Sequence, residues 1–398
     1  MGKKLDEKSD IYDAISIQRR MLQVTGIWPQ RNRSVFYRFR QCATWFTDCL
    51  FCSLLCLEVH ANIRDGQYRH LTELLSFMAS EVPYVFKHFF FWWNSERFIE
   101  TVENLKRTHF VNYPMYSDRH IRSSIKYARM LMRWYQMLVA SLVLMYLLKP
   151  FFTNDKMAIR FDVIDFGHFR ILFHLYEVYS VGTACWNNSS LDILALGLIS
   201  IGTAQFSILR DKLLNIREWA GLSYEEVDAG KRRSDTTDSD TDWHVNERLK
   251  ECVKHHLNII QYCAEIEKIY CYYFLVQFFD SVLAICNTWF QFQLAEDLLN
   301  VIFLIFYTAS LLTQLGIYCL YGNNLMLKSE EIKDACYMSQ WYNCDNTARK
   351  TLMIIMERSK RPTVLTAGKF SILGLAAYSN LLQSSYSYFA LMNRLYGQ

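Results

Sequence analysis

The sequence predicts an all-α protein of seven transmembrane helices, and three observations carry that expectation. Of its 398 residues, 52% are hydrophobic and 16% aromatic, with only five prolines to interrupt helices. The apolar residues are gathered into blocks such as QCATWFTDCLFCSLLCLEVHANI, YARMLMRWYQMLVASLVLMYLL and VIFLIFYTASLLTQLGIYCLYG, each reaching the roughly 20 residues that a helix needs to cross hydrocarbon. Basic residues concentrate ahead of the first block and between the second and third.

The first forty residues hold Lys3, Lys4, Lys8, Arg19, Arg20, Arg31, Arg33, Arg38 and Arg40 and no apolar core of a signal peptide, so the N-terminus is expected on the cytoplasmic side. Gly2 follows Met1, but Asp6 stands where a myristoylation signal wants Ser or Thr. Spans are expected at about 41–63, 71–94, 127–148, 170–209, 268–293 and 297–322, with a seventh from about 348 that breaks at Pro362 and resumes to 395. The linker 96–126, with Arg97, Lys106, Arg107, Arg119, Arg122 and Lys126, falls on the cytoplasmic side as well. Seven crossings then leave the C-terminus extracellular, the reverse of a rhodopsin-like receptor. The fourth apolar run is nearly twice the length of a crossing and is expected to rise beyond the bilayer.

Two units are expected: a bundle over 1–347, with the cytoplasmic loop 211–267, and the split seventh span over 348–398. Within the loop, about 228–242 reads as a disordered insert, acidic and rich in Ser and Thr. Ser234, Thr236, Thr237 and Ser239 stand beside aspartates there and are phosphorylation candidates, although a solvated loop is the plainer reading. Val253, Leu257, Ile260, Cys263 and Ile266 follow with helical spacing.

Several function classes are excluded. The chain has no HExxH, phosphate loop or GxSxG elbow, so no catalytic residue, metal or cofactor is expected and the protein is not read as an enzyme. A formal charge of +4 without a basic stripe gives no reason to expect nucleic acid. The twelve cysteines are scattered and read as small buried hydrophobes.

Polar residues inside the spans carry more information, because they are costly in lipid and face a cavity or another helix. The second span contains Glu81, Pro83, Lys87 and His88. Six positions separate Glu81 from Lys87, so each is expected to find its partner elsewhere. In the fourth span WNNSSLD breaks the apolar run; Asn187 and Asn188 head N-x-S sequons there, and polar packing or a pocket wall suits them better than glycosylation.

The run Leu365-Thr366-Ala367-Gly368-Lys369-Phe370, followed by Ser384-Ser385-Tyr386-Ser387-Tyr388-Phe389, closely resembles the ending of insect odorant receptors. Length, span number, inverted topology, the QFSIL stretch ending at Leu209 and Lys87 are compatible with that family. The short insert before the fifth span is unlike the co-receptor branch, so the chain looks like a ligand-tuning subunit. Gustatory receptors share the fold but end in TY-x5-QF, where this chain reads Arg394-Leu395. A gustatory-like channel and a G-protein-coupled chemoreceptor are the alternatives.

The resemblance implies an odorant-gated, non-selective cation channel, a heterotetramer with the odorant receptor co-receptor. It would lie as a multi-pass protein in the plasma membrane of olfactory sensory neuron dendrites. Its partners would be that co-receptor, the lipid bilayer and a small volatile organic ligand held in the outer half of the bundle. Candidate ligand contacts are Phe77, Glu81 and Tyr84 on the second span, Met137, Ser141 and Met145 on the third, Tyr179, Thr183 and Trp186 on the fourth, and Phe303, Phe306, Tyr307 and Ser310 on the sixth. Steps of three and four from Asn380 give Ser384, Ser387, Leu391 and Arg394 on one helix face. By resemblance that face lines a shared pore, with Leu391 at the hydrophobic gate and Arg394 where the co-receptor has Gln.

Overall fold

The computed structural model describes residues 10–396, apart from 32–33, 67, 106–107, 153–168, 221–234 and 296. Its main helices are α1 (Ser16–Thr25), α2 (Val35–Asp65), α3 (Tyr68–Trp93), α4 (Ser95–Asn104), α5 (Asp118–Phe152), α6 (Arg170–Leu214), α7 (Asp235–Leu294), α8 (Leu298–Met338), α9 (Asn346–Ser359) and α10 (Leu375–Tyr396). Strands β1 (Thr366–Ala367) and β2 (Ser371–Ile372) form a short antiparallel ribbon ahead of α10. Among the described residues α2, α5, α6, α7 and α8 are long and apolar enough to cross a membrane. α3 occupies the second expected span, and α9 and α10 form the two halves of the seventh.

α6 is the axis of the bundle. At 45 residues it is about 68 Å long at 1.5 Å per residue, more than twice the roughly 30 Å of hydrocarbon. Every residue from Ser189 to Gly202 is buried, because α6 is ringed by neighbours and needs no polar face. Its later half joins the main core, where Leu194, Phe206 and Leu213 meet Leu22 of α1, Ile259 and Ile266 of α7 and Leu325 of α8.

α7 starts at Asp235 and so takes in half of the stretch expected to be disordered. The sequence DTTDSDTD opens that helix. Ser234 lies outside the described residues, as do the side chains of Thr236, Thr237 and Ser239.

The seventh span is split more elaborately than a proline break. α9 stops at Ser359, ahead of Pro362. Gly368 and Lys369 both take positive φ, 60° and 64°, as the centre of a type I′ turn requires. The Phe370 N–H closes that turn on the Ala367 carbonyl at 3.1 Å, and the Gly368 N–H donates to the Cys271 carbonyl of α7 at 2.9 Å. Thr366 Oγ1 donates to Glu267 at 2.6 Å. The LTAGKF run is therefore a hook that fastens the base of α10 onto α7.

Candidate functional site

A cavity of about 300 Å³ opens between α3, α5, α6, α7 and α8. It lies at the end of the bundle where α2 turns into α3 and α7 into α8. Steps of three and four set its walls: Ser76, Phe77, Ser80 and Glu81 share one face of α3, and Phe303, Tyr307, Ser310 and Gln314 share one face of α8. Of the ligand contacts expected from sequence, Phe77, Glu81, Met145, Phe303, Tyr307 and Ser310 line the cavity.

The others lie off its lining, and the reason is helix phase. On α6 the cavity meets Val181, Ala184, Cys185 and Asn188, whereas Tyr179 and Trp186 are exposed on other faces and Thr183 turns back to donate to the Tyr179 carbonyl at 2.8 Å. On α5 the lining runs through Tyr135, Val139, Leu142 and Tyr146; Met137 is exposed and Ser141 donates to the Leu138 carbonyl at 2.7 Å. Phe306 of α8 is also turned out. Tyr84 is fully buried past the cavity, its hydroxyl accepting from Asn187 Nδ2 at 3.1 Å. Aromatic size drew several of these choices, and lipid-facing helix surfaces are rich in the same residues.

Several polar groups on the lining are satisfied by one another. The Tyr307 and Ser80 hydroxyls are 3.0 Å apart, and Gln291 Nε2 donates to Ser76 Oγ at 3.0 Å. Beneath them sits an ion pair that sequence reasoning did not assemble. Lys87 Nζ of α3 lies 3.0 Å from Asp192 Oδ1 of α6, both side chains almost completely buried. Lys87 also donates to Asn188 Oδ1 at 2.8 Å and stands 4.9 Å from the centre of the Tyr273 ring. Asp192 accepts from the Tyr273 hydroxyl of α7 and from Gln314 Nε2 of α8 at 2.5 Å. One carboxylate thus ties four helices, and two of its associates, Asn188 and Gln314, form part of the cavity wall.

Lys87 finds its partner on another helix, as expected. Glu81 does not: its Oε2 is buried without a hydrogen-bond partner among the described residues. The sequon residues Asn187 and Asn188 are taken up in packing, Asn187 fully buried and Asn188 held by Lys87.

On α10 the expected pore residues Asn380, Ser384, Ser387, Leu391 and Arg394 are all exposed in the single chain. The opposite side carries buried Ser385 and Phe389, whose ring packs edge-on 5.3 Å from Trp289 of α7. Ser384 and Ser387 donate to the carbonyls of Asn380 and Gln383 at 2.9 Å, so each hydroxyl leaves only lone pairs facing outward. Cavity and α10 are joined through α8, which passes from Gln314 to Gly322, where it meets Leu373 just ahead of α10.

Known proteins share this architecture. The family model described as 7tm odorant receptor matches residues 68–386. Odorant receptor Or2 of Anopheles gambiae is 31% identical over 148 residues, 37% of this chain and 39% of that protein. Putative odorant receptor 85d of Drosophila melanogaster is 31% identical over 153 residues, again less than two-fifths of its own length. The match to odorant receptor 85c of Drosophila melanogaster is longer, 25% identical over 352 residues, 83% of this chain and 84% of that one. The insect olfactory receptor OR5 from Machilis hrabei has the same fold, with a TM-score of 0.80 at 17% identity over 96% of this chain and 97% of that chain. Its complex with eugenol superposes as well, at 0.80 over 97% and 98%.

Proposed function

The chain belongs to the 7tm odorant receptor family, and from that premise we propose that it is the ligand-tuning subunit of an odorant-gated, non-selective cation channel. It assembles with the odorant receptor co-receptor in the plasma membrane, as a heterotetramer whose α10 helices share one pore. The observation that carries this reading is the path just described: a cavity of about 300 Å³ with aromatic walls, joined by α8 to a helix whose polar face its own bundle leaves uncovered. A small volatile ligand gains affinity there from apolar burial and a few polar anchors. The OR5 structure with eugenol, a small volatile phenol, supports a ligand of this size.

Opening follows from selection between two bundle arrangements. A ligand between α3 and α8 favours the spacing in which α8 carries Leu373 and the base of α10 outward. Leu391, 55% exposed in the single chain, supplies the apolar constriction that such motion widens.

Patch recording of the chain expressed with and without the co-receptor tests the proposal, using a broad odorant panel. Ligand-evoked cation current that persists under G-protein blockade is expected, and current abolished by that blockade would sink the channel reading. Phe303→Ala removes an aromatic wall worth about 1.5–3 kcal/mol of burial, so half-maximal ligand concentrations should rise about 10-fold or more with surface amounts unchanged. Arg394→Gln should alter reversal potentials or divalent block while leaving odorant sensitivity within about threefold, since a positive ring repels permeant cations.

A further inference from the structure

We propose that the cavity is selective for organic amines, with Glu81 as the group that receives the nitrogen. The inference rests on the cavity being the ligand site and goes on to name the ligand's chemical class. Glu81 and Glu73 are the ionisable carboxyl groups among the described lining residues, and no Lys, Arg or His is among them. Glu81 is 3% exposed, and its Oε2 has no hydrogen-bond partner among the described residues. Among the neighbouring polar groups Ser80 pairs with Tyr307 and Ser76 with Gln291, whereas the buried Tyr146 hydroxyl, a donor that a nitrogen lone pair could also meet, has no partner among the described residues.

Among the described residues, the two basic side chains that follow Glu81 on α3 face other acids. Lys87, two turns further along α3, is held by Asp192 and Asn188. His88 lies 3.4 Å from Asp48, with its ring stacked on Trp45. A buried carboxyl group without a partner forgoes the favourable contacts it would have in water, and that deficit is what a ligand donor relieves.

An amine relieves it best, for two reasons. A free amine meeting a carboxylic acid, or an ammonium meeting a carboxylate, gives the same pair with one shared proton. The contact therefore forms with no net charge added to the membrane interior, and charge-assisted hydrogen bonds are about twice as strong as neutral ones. The second reason is the aromatic lining. Phe77 packs 5.4 Å from Tyr146, and Phe303 stacks 6.3 Å from Tyr307; both pairs line the cavity, and ring faces attract a cation's positive charge. A carboxylic acid ligand would instead place a third acid beside Glu81 and Glu73.

Matched ligands on one carbon skeleton test this in cells expressing the chain with its co-receptor. The probes are 2-phenylethylamine, 2-phenylethanol and phenylacetic acid, with hexylamine, 1-hexanol and hexanoic acid as the aliphatic set. At least one amine should activate at concentrations about 10-fold or more below its alcohol, with the acid inactive, as a hydrogen bond to a charged group predicts. Glu81→Gln should remove that advantage, costing the amine at least about 10-fold more than its alcohol, while Glu81→Asp keeps part of it. Surface labelling and the residual alcohol or general-odorant current establish that each variant is assembled. Currents to other odorants but to none of the amines would overturn the proposal, as would a Glu81→Gln loss equal for every ligand. If Phe303→Ala and Tyr307→Ala leave all responses untouched, it is the cavity's role as ligand site that fails.

Discussion

Asp192→Ala should cost the receptor about 3–5 kcal/mol of stability, the range seen when one member of a buried ion pair is removed. The cause lies in what remains. Lys87 stays fully buried with Asn188 Oδ1, at 2.8 Å, as its remaining acceptor among the described residues, and the Tyr273 hydroxyl and Gln314 amide lose the acceptor that joined α7 and α8 to α6. Each orphaned neutral donor adds a desolvation cost of about 1–3 kcal/mol. Thermal unfolding of the detergent-solubilised protein and the fraction reaching the cell surface should both fall sharply. The double variant Lys87→Met with Asp192→Leu should recover part of the loss, because a buried pair is replaceable by apolar residues of similar volume. Recovery stays incomplete while Tyr273 and Gln314 remain unpaired. A single variant as stable as the wild type would show that Lys87 is compensated by another route.

The same cluster marks where sequence reading stopped. The string WNNSSLD shows polar groups inside a span, and SEVPYVFKH shows a lysine at membrane depth, but pairing Lys87 with Asp192 needs the rotation of α3 against α6. Periodicity alone leaves that angle free. The long apolar helices were legible because apolar blocks of about 20 residues have few other uses. The start of α7 was not, since DTTDSDTD has the composition of a solvated loop.

The cavity was half legible for a related reason. On α8, Phe303, Tyr307 and Ser310 follow the helical step, and one more step reaches Gln314. On α5 and α6 the large residues that attract notice, Met137, Tyr179 and Trp186, are exposed, while smaller ones such as Ala184 and Cys185 form the wall. Small residues at a helix contact leave room for a ligand, a signal that composition does not rank.

Gly322→Ala should separate ligand binding from channel opening. An added Cβ would sit 2.5 Å from both the Cβ and the carbonyl oxygen of Leu373, so α8 and the segment leading into α10 must move apart. Elsewhere in a helix this change would stabilise by about 1 kcal/mol. Here overpacking of about 1–3 kcal/mol opposes it, and the strain falls on a close contact between the cavity helix and the base of α10. Gln314 lies eight residues back, about 12 Å along the helix, so the cavity keeps its shape. Ligand-induced thermal stabilisation of the purified receptor should stay within about threefold in apparent affinity, whereas maximal current should fall about 10-fold, since 1.4 kcal/mol is a factor of ten. Leu373→Gly should not restore it, because the carbonyl oxygen stays in the way. Gly368→Ala makes the useful contrast: its Cβ meets only the side-chain end of Leu275, at 2.7 Å. Leu275 is able to turn aside, leaving mainly the roughly 1–2 kcal/mol cost of a left-handed alanine. A smaller loss of current at Gly368 than at Gly322 is therefore expected. Equal losses would mean that hook and helix contact act as one joint, and no loss at either would place the transmission of opening outside α8.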